Sequence, residues 1–581
     1  MGAYQEIKNF TSVRRYSNLL AFGLTACLLC TDTTDGLSLH YLTAPLLTML
    51  LIGLATAILP KKVRVPCQIL LGEIIIAICM VDSYCQIFLL SPISPKILST
   101  ILQTDQREAM EFLSIYVGEE VFGKWQLVSL LVLAVIFPLS YLYKPHNLHY
   151  RWVGKARFLL AVALIAIVIY EIPHILKYAQ LMSADNDQKN TEGLIFRRYQ
   201  EAVPTPLHRL VYAYHVSKLS AVTLQAIKQA TFEATVDSCS HFSPHIVLII
   251  GESYNKHHST LYGYRLPTTP LQQQREREGS LYVFEDAVTP WNITSNVFLD
   301  QFSTWSYGQE EAFSSYPLFP VLFRRADYDV RFFTNQYLLK GIRKGATNQA
   351  GHFFLSDHEL SDTLFDYRNN RSSHYDMGLV RKVADYQKKH RETPFTLDII
   401  HLVGQHFDYS RRYPRQLAHF TLKDYADRGK DKETTQVMMH YDNATHYNDM
   451  VVDSILQLYE DQEAVVLYVA DHGEEVYDDL PVSGRLHQKP TRQTAQQEFE
   501  VPMWIWCSKK YQETHRDVTA RLATYRKRPF ITADISHMLL YLAGIKCRWY
   551  DERHDILSPQ YQTSPRIIAG EVDYDSLVYR E

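Results

Sequence analysis

Five apolar runs fill the amino-terminal third of the chain, at residues 16–31, 42–60, 66–91, 125–143 and 153–176. A bilayer core takes about 20 apolar residues of helix to cross, and backbone at that depth must satisfy its own hydrogen bonds. Residues 1–180 are therefore expected to form an α-helical transmembrane domain of five spans. Arg14 and Arg15 ahead of Leu19 to Cys30 mimic a signal peptide, but no small-x-small cleavage site precedes Thr31 and Asp32, so the first run is read as a span. Lys8, Arg14 and Arg15 precede the first run; Lys61, Lys62 and Arg64 separate the second from the third; Lys144, Arg151, Lys155 and Arg157 lie between the fourth and fifth. That distribution puts the amino terminus in the cytoplasm, and an odd number of spans exports everything after Lys177.

Glu73 and Asp82 fall inside the third run. Charges at membrane depth face protein or water, so they are candidates for a lipid-headgroup path, although the simpler reading places them near the edges of the run. In the exported loop, Ala109, Phe112, Leu113 and Tyr116 recur at helical spacing behind Thr104 as N-cap, with Arg107 and Glu108 in the first turn. This predicts an amphipathic surface helix near 100–117. A polar stretch from Ser183 to Glu192, then Pro204 and Pro206 ahead of a helical pattern, marks residues 181–240 as a linker and bridging helix.

Residues 241–581 alternate strand and helix patterns, which predicts an α/β domain with a largely parallel sheet. Ile246 to Ile250 form an unbroken apolar run ended by Gly251, so Glu252 is delivered to the carboxyl end of a buried strand, where open α/β sheets bind ligands. Ala464 to Ala470 repeat the pattern and end in Asp471 and His472. Carboxylate oxygens with an imidazole nitrogen suit zinc, and manganese less well. Asn292 to Asn296 read as a turn feeding a helix that starts near Val297, which makes Thr294 or Ser295 the nucleophile candidate, since free N–H groups at a helix start favour an incoming phosphate. FTLDIIHLVGQH brings His401 and His406 to another strand end, GRLHQKP adds His487 with less support, and His446 in a packing helix is given no role.

A net charge of -4 and a pI near 6.7 argue against a nucleic-acid partner. Five of the eight cysteines lie in or beside the apolar runs, leaving Cys239, Cys507 and Cys547 without a Cys-x-x-Cys spacing and so without a zinc knuckle.

Taken together, GESYN at a strand end, LYGY with a following TTP, a threonine in a turn some forty residues on, HLVGQH before YSRRYP, and ADHGEE resemble the membrane-bound phosphoethanolamine transferases. That family modifies lipid A and lipopolysaccharide core and carries an alkaline-phosphatase-like, sulfatase-like domain. The resemblance implies that Glu252, Asp471 and His472 bind zinc and that Thr294 joins the metal and takes up phosphoethanolamine. It matches His406 and His487 to histidines that hold substrate or a second zinc, Lys340 in LLKG to a pocket lysine, and Thr104 and Glu108 to a periplasmic helix contacting the donor lipid. It further implies a bacterial inner-membrane enzyme, here expected to be monomeric, with a periplasmic catalytic domain. Phosphatidylethanolamine is then the donor and an envelope glycolipid or glycan the acceptor. Pro290 and Trp291 stand where the lipid A enzymes carry a disulfide cysteine, which points toward the core-sugar and glucan branches. The rival enzyme is a phosphoglycerol transferase of the lipoteichoic-acid-synthase type; a sulfatase activity lacks its Cys-x-Pro-x-Arg motif; the rival of another class is an inactive envelope-binding scaffold.

Overall fold

The computed structural model describes residues 16–30, 39–88, 92–95, 97–98, 101, 123–142, 154–183, 203–336, 354–485 and 490–579. Thr104, Glu108, Lys340 and His487 lie outside them. The described residues fall into two units, one reaching to Leu219 and the other running from Ser220.

Helices stand at all five apolar runs: α1 (Ser17–Leu29), α2 (His40–Ala57), α3 (Lys61–Phe88), α4 (Trp125–Ser140) and α5 (Gly154–Ser183). Only α2, α3 and the Val162–Ser183 part of α5 are long and apolar enough to cross a membrane, so the five expected spans become three candidates among the described residues. The other two, α1 with 13 residues and α4 with 16, fall below the length a bilayer core demands. Both Glu73 and Asp82 lie within α3 rather than at its edges. Asp82 is fully buried, yet its charge is met by Arg209 Nη2 at 2.7 Å and by the Ile93 N–H at 2.9 Å. Arg209 comes from α6 (Pro206–Glu233), which Pro206 opens with a φ already suited to the first helical turn.

The second unit is organised by a seven-stranded sheet of β1 (His245–Gly251), β2 (Leu281–Phe284), β3 (Asp329–Thr334), β4 (Tyr367–Arg368), β5 (Thr396–His401), β6 (Ala464–Ala470) and β7 (Met503–Cys507), in the order β2-β7-β6-β1-β5-β3-β4. Unbroken apolar runs form β1 and β6 because both faces are covered, and every residue of β6 is buried. Five strands, from β6 to β4, run parallel. One strand departs from the parallel expectation: β7 is antiparallel to both β6 and β2, which makes the sheet mixed. Val451, Val452 and Ile455 of α9 (Lys432–Gln457) and Leu539 and Leu540 of α11 (Ile535–Ala543) join the sheet residues in one apolar core, and α7 (Thr294–Phe302), α8 (Asp376–Lys389) and α10 (Arg492–Phe499) are among the other helices.

Register decides what this sheet presents. Gly251 pairs with Ala470 and Ile250 with His401, so the next residues along, Glu252 and Asp471, leave the sheet side by side at its carboxyl edge. Cys239, Cys507 and Cys547 are free thiols.

Candidate metal centre and nucleophile

Each group at that edge is fixed by local backbone. Ser253 adopts a left-handed φ of 54°, turning its N–H onto Asp471 Oδ1 at 2.9 Å while its hydroxyl donates to Glu252 Oε1 at 2.8 Å. The His472 N–H adds a second donor to Asp471 Oδ1 at 2.7 Å. Oδ2 of Asp471 is left buried without a hydrogen bond of ordinary geometry among the described residues, 3.2 Å from His472 Nε2. His472 Nδ1 lies 2.8 Å from the Gly473 carbonyl, which only accepts, so Nδ1 carries the proton and Nε2 offers its lone pair to the pocket.

Gly473 lets the chain pass between these groups and α10. A Cβ there would lie 2.1 Å from the backbone oxygen of Gln497, which cannot swing aside. Gly473→Ala is expected to destabilise the protein by about 1–3 kcal/mol and to shift His472. Thermal unfolding and metal content of the variant check this; unchanged values in both would contradict it.

The third element is α7. It begins at Thr294, three residues before the expected Val297, because Ile293 is an extended N-cap and the preceding residues are anchored: Trp291 Nε1 donates to Asp300 Oδ2 at 2.8 Å, and Asn292 bonds Glu498. Thr294 thus becomes the first helical residue, with Oγ1 at 3.2 Å from Glu252 Oε2 and 3.4 Å from His472 Nε2. Ser295 Oγ bonds Asn296 Oδ1 instead, so of the two nucleophile candidates Thr294 is the one that reaches the cluster.

Glu252, Asp471 and His472 each offer a donor atom within 4.8 Å of the others, and all three residues are buried. Burial pushes the Glu252 carboxyl up, but the His401 hydrogen bond and the positive charge of Arg485 beside it hold it well below the usual carboxylate range. Burial and the neighbouring Glu252 charge drive Asp471 well above that range. His472 is lowered to about 3, first by burial and then by Arg485, so its imidazole is neutral. Two facing carboxylates, an orphaned Oδ2 and a neutral imidazole with its lone pair inward are a donor set that fits a divalent cation.

Around this core, His401 Nε2 lies 3.8 Å from Glu252 Oε2. His406, bonded through Nδ1 to the Phe407 carbonyl, is pushed by burial to about 4, which leaves its ring neutral. Of three further neighbours, Gln336 and Arg485 had no signal in the sequence, while Glu474 stands in the ADHGEE motif with no role assigned to it. Gln336 Nε2 donates to Glu252 Oε2 at 3.4 Å, Arg485 Nη1 contacts His472 Nε2 at 3.0 Å, and Glu474 is buried behind them, accepting from the Tyr409 hydroxyl at 2.8 Å. Loop residues of this kind follow no period that a sequence pattern can pick out.

Comparison with known proteins agrees with the motifs. Phosphoethanolamine transferase EptC of Escherichia coli is 26% identical over 542 residues, covering 90% of this chain and 88% of its own. The crystal structure of the C-terminal periplasmic domain of the E. coli EptC, in complex with zinc, superposes with a TM-score of 0.50 at 26% identity over 60% of this chain and 96% of that domain. The integral membrane lipooligosaccharide phosphoethanolamine transferase A (EptA) of Neisseria meningitidis shares the fold, with a TM-score of 0.59 at 17% identity over 93% of this chain and 97% of its own. The sequence profile described as sulfatase matches residues 244–545, more than half of the chain, and takes in both strand ends and the threonine between them. On that match, the chain belongs to the sulfatase family.

Proposed function

We propose that the protein transfers phosphoethanolamine from phosphatidylethanolamine to a glycolipid or glycan of the bacterial envelope, such as lipid A or lipopolysaccharide core, through a phosphothreonine at residue 294. The observation that carries this reading is the placement of Thr294 Oγ1, at the first turn of α7, within 3.4 Å of both Glu252 and His472. The zinc-bound relative supports zinc as the ion; Glu252, Asp471 and His472 would hold it, and when bound it lowers the pKa of the Thr294 hydroxyl and stabilises charge on phosphorus. A second ion, or the substrate, would draw on His401 and His406 beside Glu252.

The chain's own residues supply the rest. The N–H groups of Thr294 and Ser295, at the open end of α7, would meet the phosphoryl oxygens. The Thr294 Oγ–P bond forms as the P–O bond to diacylglycerol breaks; the hydroxyl proton leaves Oγ and the departing oxygen gains one, releasing neutral diacylglycerol. An acceptor hydroxyl then repeats the displacement on the phosphothreonine and frees Thr294. Ser253 and Gln336 hold the Glu252 carboxylate still during both halves.

The reading includes five spans with the amino terminus in the cytoplasm, a periplasmic catalytic unit, a monomer, Lys340 in the pocket, His487 on substrate or a second zinc, and Thr104 and Glu108 at the donor lipid. A membrane anchor suits a donor confined to the bilayer. A sulfatase activity is disfavoured because a threonine stands at the nucleophile position. Mass spectrometry of envelope glycolipids with and without the gene tests the whole: a phosphoethanolamine mass gain that depends on the gene is expected, whereas a glycerol phosphate gain would select the lipoteichoic-acid-synthase type and no gain would favour the scaffold.

A further inference from the structure

Gln336 stands two residues beyond the end of β3, at the same carboxyl edge of the sheet that delivers Glu252 and Asp471. Its backbone is fixed there: the N–H donates to Thr334 Oγ1 at 3.0 Å, and that hydroxyl donates to the Gln336 carbonyl at 2.6 Å. The neighbouring Asn335 is tied to Asp376 Oδ1 at 2.9 Å. The residue is 8% exposed. Gln336 Nε2 lies 3.4 Å from Glu252 Oε2, and Thr294 Oγ1 lies 3.2 Å from that same oxygen, so amide and nucleophile flank one atom.

A carboxylate only accepts, which sets the amide nitrogen on Glu252 and turns the amide oxygen away from it. That oxygen, Oε1, is buried with no hydrogen-bond partner among the described residues. The nearby hydroxyls of Ser253 and Thr294 are directed at Glu252 instead. A buried acceptor without a donor costs stability, so its place beside the nucleophile calls for a donor brought from outside. The group carried by Thr294 in the proposed transfer ends in an ammonium, two carbons beyond its ester oxygen. With Thr294 and the amide set against one carboxylate oxygen, that arm is long enough to bring an N–H to Oε1. The bond is charge-assisted, whereas a trimethylammonium has no N–H to give and would leave the carbonyl unsatisfied.

We propose that Gln336 reads the headgroup of the donor lipid, its Oε1 accepting a hydrogen bond from the ammonium of phosphoethanolamine. This rests on the phosphoethanolamine-transfer reading and adds to it a residue that sets headgroup specificity.

The test gives full-length zinc-loaded protein in detergent phosphatidylethanolamine, phosphatidylcholine or phosphatidylglycerol, with diacylglycerol release as readout and zinc content as control. Wild type is expected to favour phosphatidylethanolamine over phosphatidylcholine, and Gln336→Met to lower that preference about tenfold to a hundredfold while keeping its zinc. Gln336→Glu retains an acceptor and should retain the preference. Loss of the Nε2 bond to Glu252 slows every donor alike, so the ratio between lipids separates headgroup recognition from support of the carboxylate. Wild type that uses both lipids equally, an unchanged ratio or lost zinc in Gln336→Met, or a preference lost as fully in Gln336→Glu would overturn the headgroup contact while leaving the transfer reading intact. Release from phosphatidylglycerol alone, or from none of the three, would remove the transfer reading and the contact with it.

Discussion

Thr294→Ala is expected to abolish transfer, lowering kcat by about three orders of magnitude or more, while the protein folds and keeps its metal. The three donors of Glu252, Asp471 and His472 remain in that variant, so metal content should match wild type. Removing the hydroxyl and methyl of one threonine at the start of α7 leaves the anchors at Trp291 and Asn292 in place. Thr294→Ser retains a hydroxyl at the same helix position and is expected to recover part of the rate. Turnover of a headgroup-labelled phosphatidylethanolamine, measured beside zinc content, checks both variants. An alanine variant with substantial activity would show that the hydroxyl nearest the triad is not the nucleophile.

The second large effect concerns the metal and has an unusual sign. Without a cation, Glu252 and Asp471 face each other in a buried pocket, and Asp471 is driven well above its ordinary value near 3.8, first by burial and then by the Glu252 charge. An acid whose folded pKa is raised costs stability at every pH above its unfolded value, so at neutral pH this carboxyl destabilises the metal-free fold. Asp471→Asn removes that cost along with a ligand. Metal-free Asp471→Asn is therefore expected to unfold at a higher temperature than metal-free wild type. Zinc at a hundredfold over its Kd should stabilise wild type by about 2.7 kcal/mol and the variant by far less. Thermal unfolding in chelator and in zinc gives all four values, and an Asn variant that gains as much from zinc as wild type would remove Asp471 from the site. Transfer should be lost in chelator and return with zinc.

The chemistry was legible where it sits at the ends of strands buried on both faces. Ile246–Ile250 and Ala464–Ala470 are runs that suit a strand covered on both faces, and Glu252 after Gly251 and Asp471 after Ala470 emerge together at one edge. Thr294 falls in the expected turn, but its helix begins three residues earlier than the pattern predicts, because the asparagines around it look like loop, while the anchors Asp300 and Glu498 are hidden inside the helix or distant in sequence. The reversed direction of Met503–Cys507 left no trace either, since a strand buried along its whole length reads the same both ways. Apolar composition located five helices but not their lengths; α1 and α4 stop where Cys30 and Tyr141 end the ladder. Arg485 and Gln336 act through tertiary contacts made from loops, for which a single sequence offers no spacing rule.

The most direct measurement withholds the acceptor. Zinc-loaded protein incubated with phosphatidylethanolamine alone should accumulate one phosphoethanolamine group per chain, released as diacylglycerol appears, and peptide mass spectrometry should place it on Thr294. A group found on Ser295 or any other residue, or transfer that proceeds with no covalent adduct at all, would contradict the convergence of two strand ends and one helix start on a single nucleophile.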